Sequence, residues 1–107
     1  MTYINTLEAL ADPNRRALIA HLQFGPCSVS ELNQVVAVSQ PAVSQHLAVL
    51  KKAGLVKVRK AGNRRIYSLA PEGLVALRNY IDNLWDDVLH SFQQAAEKQS
   101  KGENHDK

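Results

Sequence analysis

The chain has 107 residues, of which 45% are hydrophobic and 21% charged, as in an ordinary globular domain. No membrane partner is expected, because no apolar run approaches the roughly 18 residues that a bilayer-spanning helix needs. The single cysteine, Cys27, excludes an intrachain disulfide framework, and no signal peptide is apparent, so a reducing, cytoplasmic location is expected.

The net charge of +3 is distributed unevenly along the chain. Residues 32–71 contain seven basic side chains and no acidic one, whereas the segments on both sides are net acidic. Such a concentration of charge is typical of proteins that bind a polyanion, although a solvated basic face without a partner is the alternative.

Three short helices are predicted in the first part of the chain. Apolar residues at helical spacing predict the first over residues 3–11, and Asp12-Pro13 has the cap-and-proline signature of a second, which Gly25-Pro26 ends. Ser28 and Glu31 have the spacing of a capping box and predict a third helix, with Leu32, Val35 and Val36 as its apolar residues.

A fourth helix is predicted over residues 39–54, from an N-cap serine to a glycine stop. Val43, Leu47 and Leu50 recur at spacings of four and three, which predicts a buried stripe. The outer face is polar at its start and basic at its end, as suits the base edges and phosphates of a DNA major groove. An ordinary amphipathic surface helix is the alternative. Because only residues 37–38 separate the third and fourth helices, the pair is predicted to form a helix-turn-helix.

After residue 54 the hydrophobic period changes. Alternating residues predict strands over 55–60 and 64–69, joined by a turn at Gly62-Asn63. A basic hairpin directly after a helix-turn-helix is typical of a wing that reaches DNA phosphates or the minor groove. An edge hairpin protected from aggregation by its charges is the alternative.

The last helix is predicted to begin near Pro71. It has two adjacent apolar stripes, more than a small domain can bury, which predicts a homodimer interface shared with the first helix. A domain over residues 1–94 and a polar, disordered tail over residues 95–107 are expected. The predicted interface residues are Ile4, Leu7, Ile81, Leu84, Trp85, Val88 and Leu89.

The segments ADPNR and SQPAVSQHLAVLKKAGLV, within residues 7–69, resemble the ArsR/SmtB family of winged helix-turn-helix transcriptional repressors. The resemblance implies a mainly α fold with a small β-hairpin, in the order α1-α2-α3-α4-β-β-α5, and a homodimer that binds an inverted-repeat DNA operator. The predicted DNA-binding residues are Ser39, Gln40, Ser44, Gln45, His46, Lys51, Arg59, Lys60, Asn63, Arg64 and Arg65.

Many members of that family sense a metal through two cysteines of the third helix, at the positions of Ser28 and Ser30 here. Hydroxyls are poor ligands for a soft metal, so no metal site and no cofactor are predicted. An unconventional metal site at Asp86, Asp87 and His90 on the last helix is the alternative. The identity of any metal or small-molecule inducer is not predicted.

Catalysis is not expected, because the sequence has no Ser-His-Asp set, Gly-rich phosphate loop or metal-ligand motif. A winged helix that binds protein is the remaining alternative. The basic segment argues against it, since protein interfaces are depleted in lysine. The sequence therefore predicts a sequence-specific DNA-binding transcriptional regulator.

Overall fold

The computed structural model describes the backbone of residues 2–106 and the side chains of residues 5–99. The chain divides into two compact units, Met1–Leu77 and Arg78–Lys107. The elements, in chain order, are α1 (Thr2–Ala9), α2 (Pro13–Leu22), β1 (Cys27–Ser28), α3 (Val29–Asn33), α4 (Gln40–Lys52), β2 (Val56–Ala61), β3 (Arg64–Leu69) and α5 (Pro71–Asp106). The predicted fold, a mainly helical winged helix-turn-helix, is confirmed.

The starts of three helices are fixed by the predicted caps. The Asp12 carboxylate accepts hydrogen bonds from two first-turn amides of α2 at 2.7 and 3.2 Å. At α3, the Ser28 amide donates to the Glu31 carboxylate at 2.9 Å, and the Glu31 amide donates to the Ser28 hydroxyl at 3.2 Å. The Ser39 hydroxyl accepts from a first-turn amide of α4 at 3.3 Å. These bonds satisfy amides that have no partner within their own helix.

One apolar core in the first unit holds α2, α3, α4 and the sheet together. The stripe predicted on α4 is confirmed, because Val43, Leu47 and Leu50 are fully buried. Leu18 of α2 and Leu32 of α3 are also fully buried against them. Burial of such a side chain contributes about 1.5–3 kcal/mol, so this core fixes α4 with its opposite face outward.

The turn of the helix-turn-helix is longer than predicted. Helix α3 ends at Asn33, so residues 34–39 connect it to α4 rather than residues 37–38 alone. The Asn33 side chain donates to the Val38 carbonyl at 2.8 Å, which stabilises this turn. Val36 lies in this turn and is buried in the core. Its apolar side chain therefore reflects packing of the turn and not an extension of α3.

The wing is part of a three-stranded sheet rather than a hairpin alone. The strand order is β1-β3-β2, and β1 pairs with β3 in antiparallel register, with Cys27 opposite Tyr67. A strand of two residues is too short to show an alternating pattern, which is why the sequence did not predict it. The predicted turn at Gly62 is confirmed, since its φ of +64° is one that glycine adopts at no steric cost.

Helix α5 begins at Pro71, as predicted, and continues through Ala95 to Asp106. The sequence predicted a disordered tail from residue 95, because the apolar period stops there. Residues 95–99, AAEKQ, are nevertheless among the best helix formers, and local propensity extends the helix without an apolar face.

Candidate nucleic-acid interface

The predicted reading face of α4 is accessible along its length. Ser39, Gln40, Ser44 and Gln45 are exposed at its amino-terminal half. Lys51, also exposed, lies in the last turn, where the helix dipole favours a cation. Because the apolar stripe is buried, the exposed face of α4 has amide and hydroxyl groups at its amino-terminal half and positive charge at its carboxyl end. This arrangement suits contacts to base edges and to the flanking phosphates.

His46 lies at the edge of this face rather than on it. Its ring is half-buried, and Nδ1 lies 3.3 Å from Nη1 of Arg15, in the first turn of α2. The sequence gave no indication of this contact between Arg15 and α4.

Four cations from three elements surround one groove beside the wing. The groove has a volume of about 240 Å³ and is lined by Lys51 of α4, by Val58, Arg59 and Lys60 of β2, and by Arg65 of β3. Lys60 and Arg65 are direct cross-strand partners, an arrangement of like charges that destabilises a sheet. A bound anion would relieve that repulsion, so the groove suits a phosphate.

A second groove, of about 250 Å³, lies between the start of α4 and the tip of the wing. It is lined by Ser28, Val29, Ser30, Gln40, Asn63, Arg64 and Arg65. Here Arg64 differs from Arg65, because its Nη2 lies 3.3 Å from Oε1 of Glu31. Both side chains are more than half exposed, so this ion pair is weak. The negative charge of Glu31 nevertheless reduces the attraction of Arg64 for a phosphate.

Glu31 serves two functions in this arrangement. Hydrogen bonds from the Ser28 amide and then the Ser28 hydroxyl lower the pKa of its carboxyl, and Arg64 and His21 lower it further. It therefore carries a negative charge beside the wing as well as capping α3. The charge pattern of residues 32–71 did not reveal this, since Glu31 directly precedes that segment.

The residues considered as metal ligands do not form a site in the part of the chain that the structure describes. Among residues 5–99, no group of three or more His, Cys, Asp and Glu side chains lies close enough to hold an ion. Asp86, Asp87 and His90 are all exposed on α5. Cys27 is buried, and burial raises the pKa of its thiol, as does the nearby charge of Glu31.

The predicted dimer-interface residues of α5 are exposed in the single chain. Leu84 and Trp85 are 47% and 62% exposed, and Ile81, Val88 and Leu89 are exposed beside them. Leu7 of α1 is also exposed, whereas the side chain of Ile4 lies outside the described residues. Within the described part of the chain, no helix is long and apolar enough to cross a membrane.

Known proteins share both the sequence and the fold. Residues 12–58 match the family described as bacterial regulatory protein, arsR family. The HTH-type transcriptional regulator Rv2034 of Mycobacterium tuberculosis is 52% identical over 87 residues, which cover 81% of this chain and 81% of that protein. The biofilm growth-associated repressor of Xylella fastidiosa is 33% identical over 96 residues, covering 90% of this chain and 77% of the relative.

A solved structure with a similar fold belongs to the same family. The crystal structure of an ArsR family transcriptional regulator superposes with a TM-score of 0.72 at 30% identity, covering 79% of this chain and 91% of that one. The chain therefore belongs to the ArsR family, whose members are DNA-binding transcriptional regulators and not enzymes.

Proposed function

We propose that the protein is a homodimeric repressor that binds an inverted-repeat DNA operator in the bacterial cytoplasm. The observation that carries the proposal is one continuous polar and basic surface, formed by the exposed face of α4 and the two grooves beside the wing. Repression is supported by the name of the Xylella fastidiosa relative.

Helix α4 is the element that would read base sequence. A major groove about 12 Å wide admits one α-helix. Gln45 is exposed near the middle of α4, and a glutamine amide can bind adenine through two hydrogen bonds. Lys51 and the wing would then contact the phosphates on either side, which position the helix without reading sequence.

Gln45→Ala is expected to lower operator affinity by about 1–3 kcal/mol and to relax the preference at one base position. The operator is first selected from genomic fragments that include the DNA upstream of the protein's own gene. Affinities for that operator and for random DNA are then compared. Gln93→Ala removes an exposed amide of α5 and serves as the matched control. An unchanged ratio of specific to random binding in Gln45→Ala would show that the assigned face of α4 is wrong.

Arg65→Ala is expected to weaken specific and random binding together, and to flatten the slope of log affinity against log salt by about one. Arg64→Ala should flatten it by less, because Glu31 already compensates part of the Arg64 charge. The double variant should flatten the slope by less than about two, because the ion pair already compensates part of the Arg64 charge. Arg78→Ala, which removes an exposed arginine of α5, is the control. Equal slopes for Arg65→Ala and the wild type would mean that the wing does not contact DNA.

A further inference from the structure

Arg15 of α2 contacts both the end of α1 and α4. Its Nε donates to the Ala9 carbonyl at 2.6 Å and its Nη2 to the Glu8 carbonyl at 3.2 Å, at the end of α1. Its remaining terminal nitrogen, Nη1, lies 3.3 Å from Nδ1 of His46 on α4. One planar guanidinium group therefore bridges the end of α1 and the predicted reading helix α4.

The bonds to α1 account for only part of this arrangement. The last carbonyls of a helix lack partners within the helix, and a basic side chain commonly satisfies them. Arg16 makes a similar contact just after α1, where its Nη1 donates to the carbonyls of Leu10 and Ala11 at 2.8 and 2.9 Å. A cap for α1 therefore does not require the contact between Arg15 and His46.

That contact determines which ring nitrogen of His46 carries the proton. A guanidinium group has donors only, so Nδ1 of His46 must accept the hydrogen bond. In a neutral imidazole the proton then resides on Nε2. The half-buried ring is thereby held with a hydrogen-bond donor at the edge away from Arg15.

We propose that Arg15 is a positioning residue for base reading, and that it presents His46 Nε2–H as a donor to a base-edge acceptor in the major groove. The inference rests on the proposed function and adds a residue from α2 to it. A donor at this point matches N7 or O6 of guanine, N7 of adenine or O4 of thymine, and it opposes the amino group of cytosine. His46 should therefore exclude cytosine at one position of each half-site.

The tautomer can be measured without DNA. Long-range ¹H–¹⁵N spectra of the labelled full-length protein distinguish the two neutral forms, and the His46 signals are assigned by their loss in His46→Gln. The expected proton position is Nε2. Arg15→Met removes the donor and should shift the ring toward a mixture of tautomers, whereas Arg16→Met should leave it unchanged. A proton on Nδ1 in the wild type would overturn the inference.

Two substitutions separate the two ring nitrogens in DNA binding. A glutamine amide nitrogen reaches about as far as Nε2, and an asparagine amide nitrogen about as far as Nδ1. We expect cytosine at the contacted position to lower wild-type affinity about 5- to 10-fold, the size of one hydrogen bond. His46→Gln should retain most of that discrimination and His46→Asn should lose it. Equal discrimination by the two variants would overturn the base contact.

Failure of this inference differs from failure of the proposed function. A folded wild type with the Nε2 proton that binds operator and random DNA equally would overturn the proposed function, and the base contact with it. A wild type that selects its operator while carrying the proton on Nδ1 would overturn this inference and leave the proposed function standing. Arg15→Met should also relax discrimination at the His46 position only, which separates positioning from a general loss of stability.

Discussion

Leu84→Glu is expected to yield monomers, or poorly folded chains, that no longer bind the operator. Leu84 lies in an apolar stripe on one face of α5, whose members are 39–69% exposed in the single chain. A contiguous apolar surface of this kind marks an interaction site. A charge buried there without a partner costs several kcal/mol, and two-fold symmetry applies the cost twice. The stripe consists of Ile81, Leu84, Trp85, Val88, Leu89 and Phe92.

Sedimentation velocity and circular dichroism of the variant beside the wild type test this expectation. Asn83→Glu is the matched control, because it adds the same charge at the residue before Leu84. Asn83 lies about 100° around the helix from Leu84 and on the side opposite the centre of the stripe. The control should remain dimeric. A folded Leu84→Glu dimer with normal operator binding would place the interface elsewhere.

Loss of the dimer should abolish operator binding because one reading helix contacts few base pairs. Two-fold pairing doubles these contacts and sets the half-sites about one helical turn, roughly 34 Å, apart. The monomer should therefore retain only weak, salt-dependent binding to any DNA, through Lys51 and the wing. That residual binding also distinguishes lost dimerisation from unfolding.

The features that the sequence predicted correctly are local. The caps at Asp12, Ser28 and Ser39, the stripe on α4 and the turn at Gly62 each depend on residues within one or two helical turns of one another. Side-chain spacing and backbone conformation determine such features before any tertiary contact forms. They sufficed to predict the fold and the face of α4 that is exposed.

The features that the sequence missed join residues far apart in the chain. Arg64 and Glu31 are separated by 33 residues, and Arg15 and His46 by 31. No periodic pattern connects such pairs, because their approach depends on how α2, α3 and the wing pack around α4. The segment ADPNR carries part of the resemblance to the family, but nothing in it indicates that the Arg15 guanidinium contacts the reading helix. The prediction therefore treated Arg64 and Arg65 as equivalent and His46 as an independent contact.

Gly73 is another residue whose role only the packing reveals. It lies in the first turn of α5, where its amide donates to the Gly54 carbonyl at 2.9 Å and its carbonyl accepts from the Thr6 hydroxyl at 3.5 Å. A Cβ at this position would lie 2.7 Å from the Ala53 carbonyl oxygen and 2.8 Å from that of Gly54. Both are backbone atoms of the turn that ends α4, so they cannot rotate away as a flexible side chain could.

Gly73→Ala is therefore expected to destabilise the protein by about 1–2 kcal/mol in urea unfolding. Helix propensity alone would favour alanine by about 1 kcal/mol, but overpacking against fixed atoms costs about 1–3 kcal/mol, and here the contact is with backbone. Gly62→Ala is the control, since its Cβ would meet open space and only the left-handed conformation opposes it, at a cost of about 1 kcal/mol. If Gly73→Ala proved as stable as the wild type, the start of α5 would have to move freely away from the end of α4. In that case operator affinity should also be unchanged. If instead Gly73→Ala displaces the turn at Ala53 and Gly54, Lys51 and Lys52 should shift and operator affinity should fall.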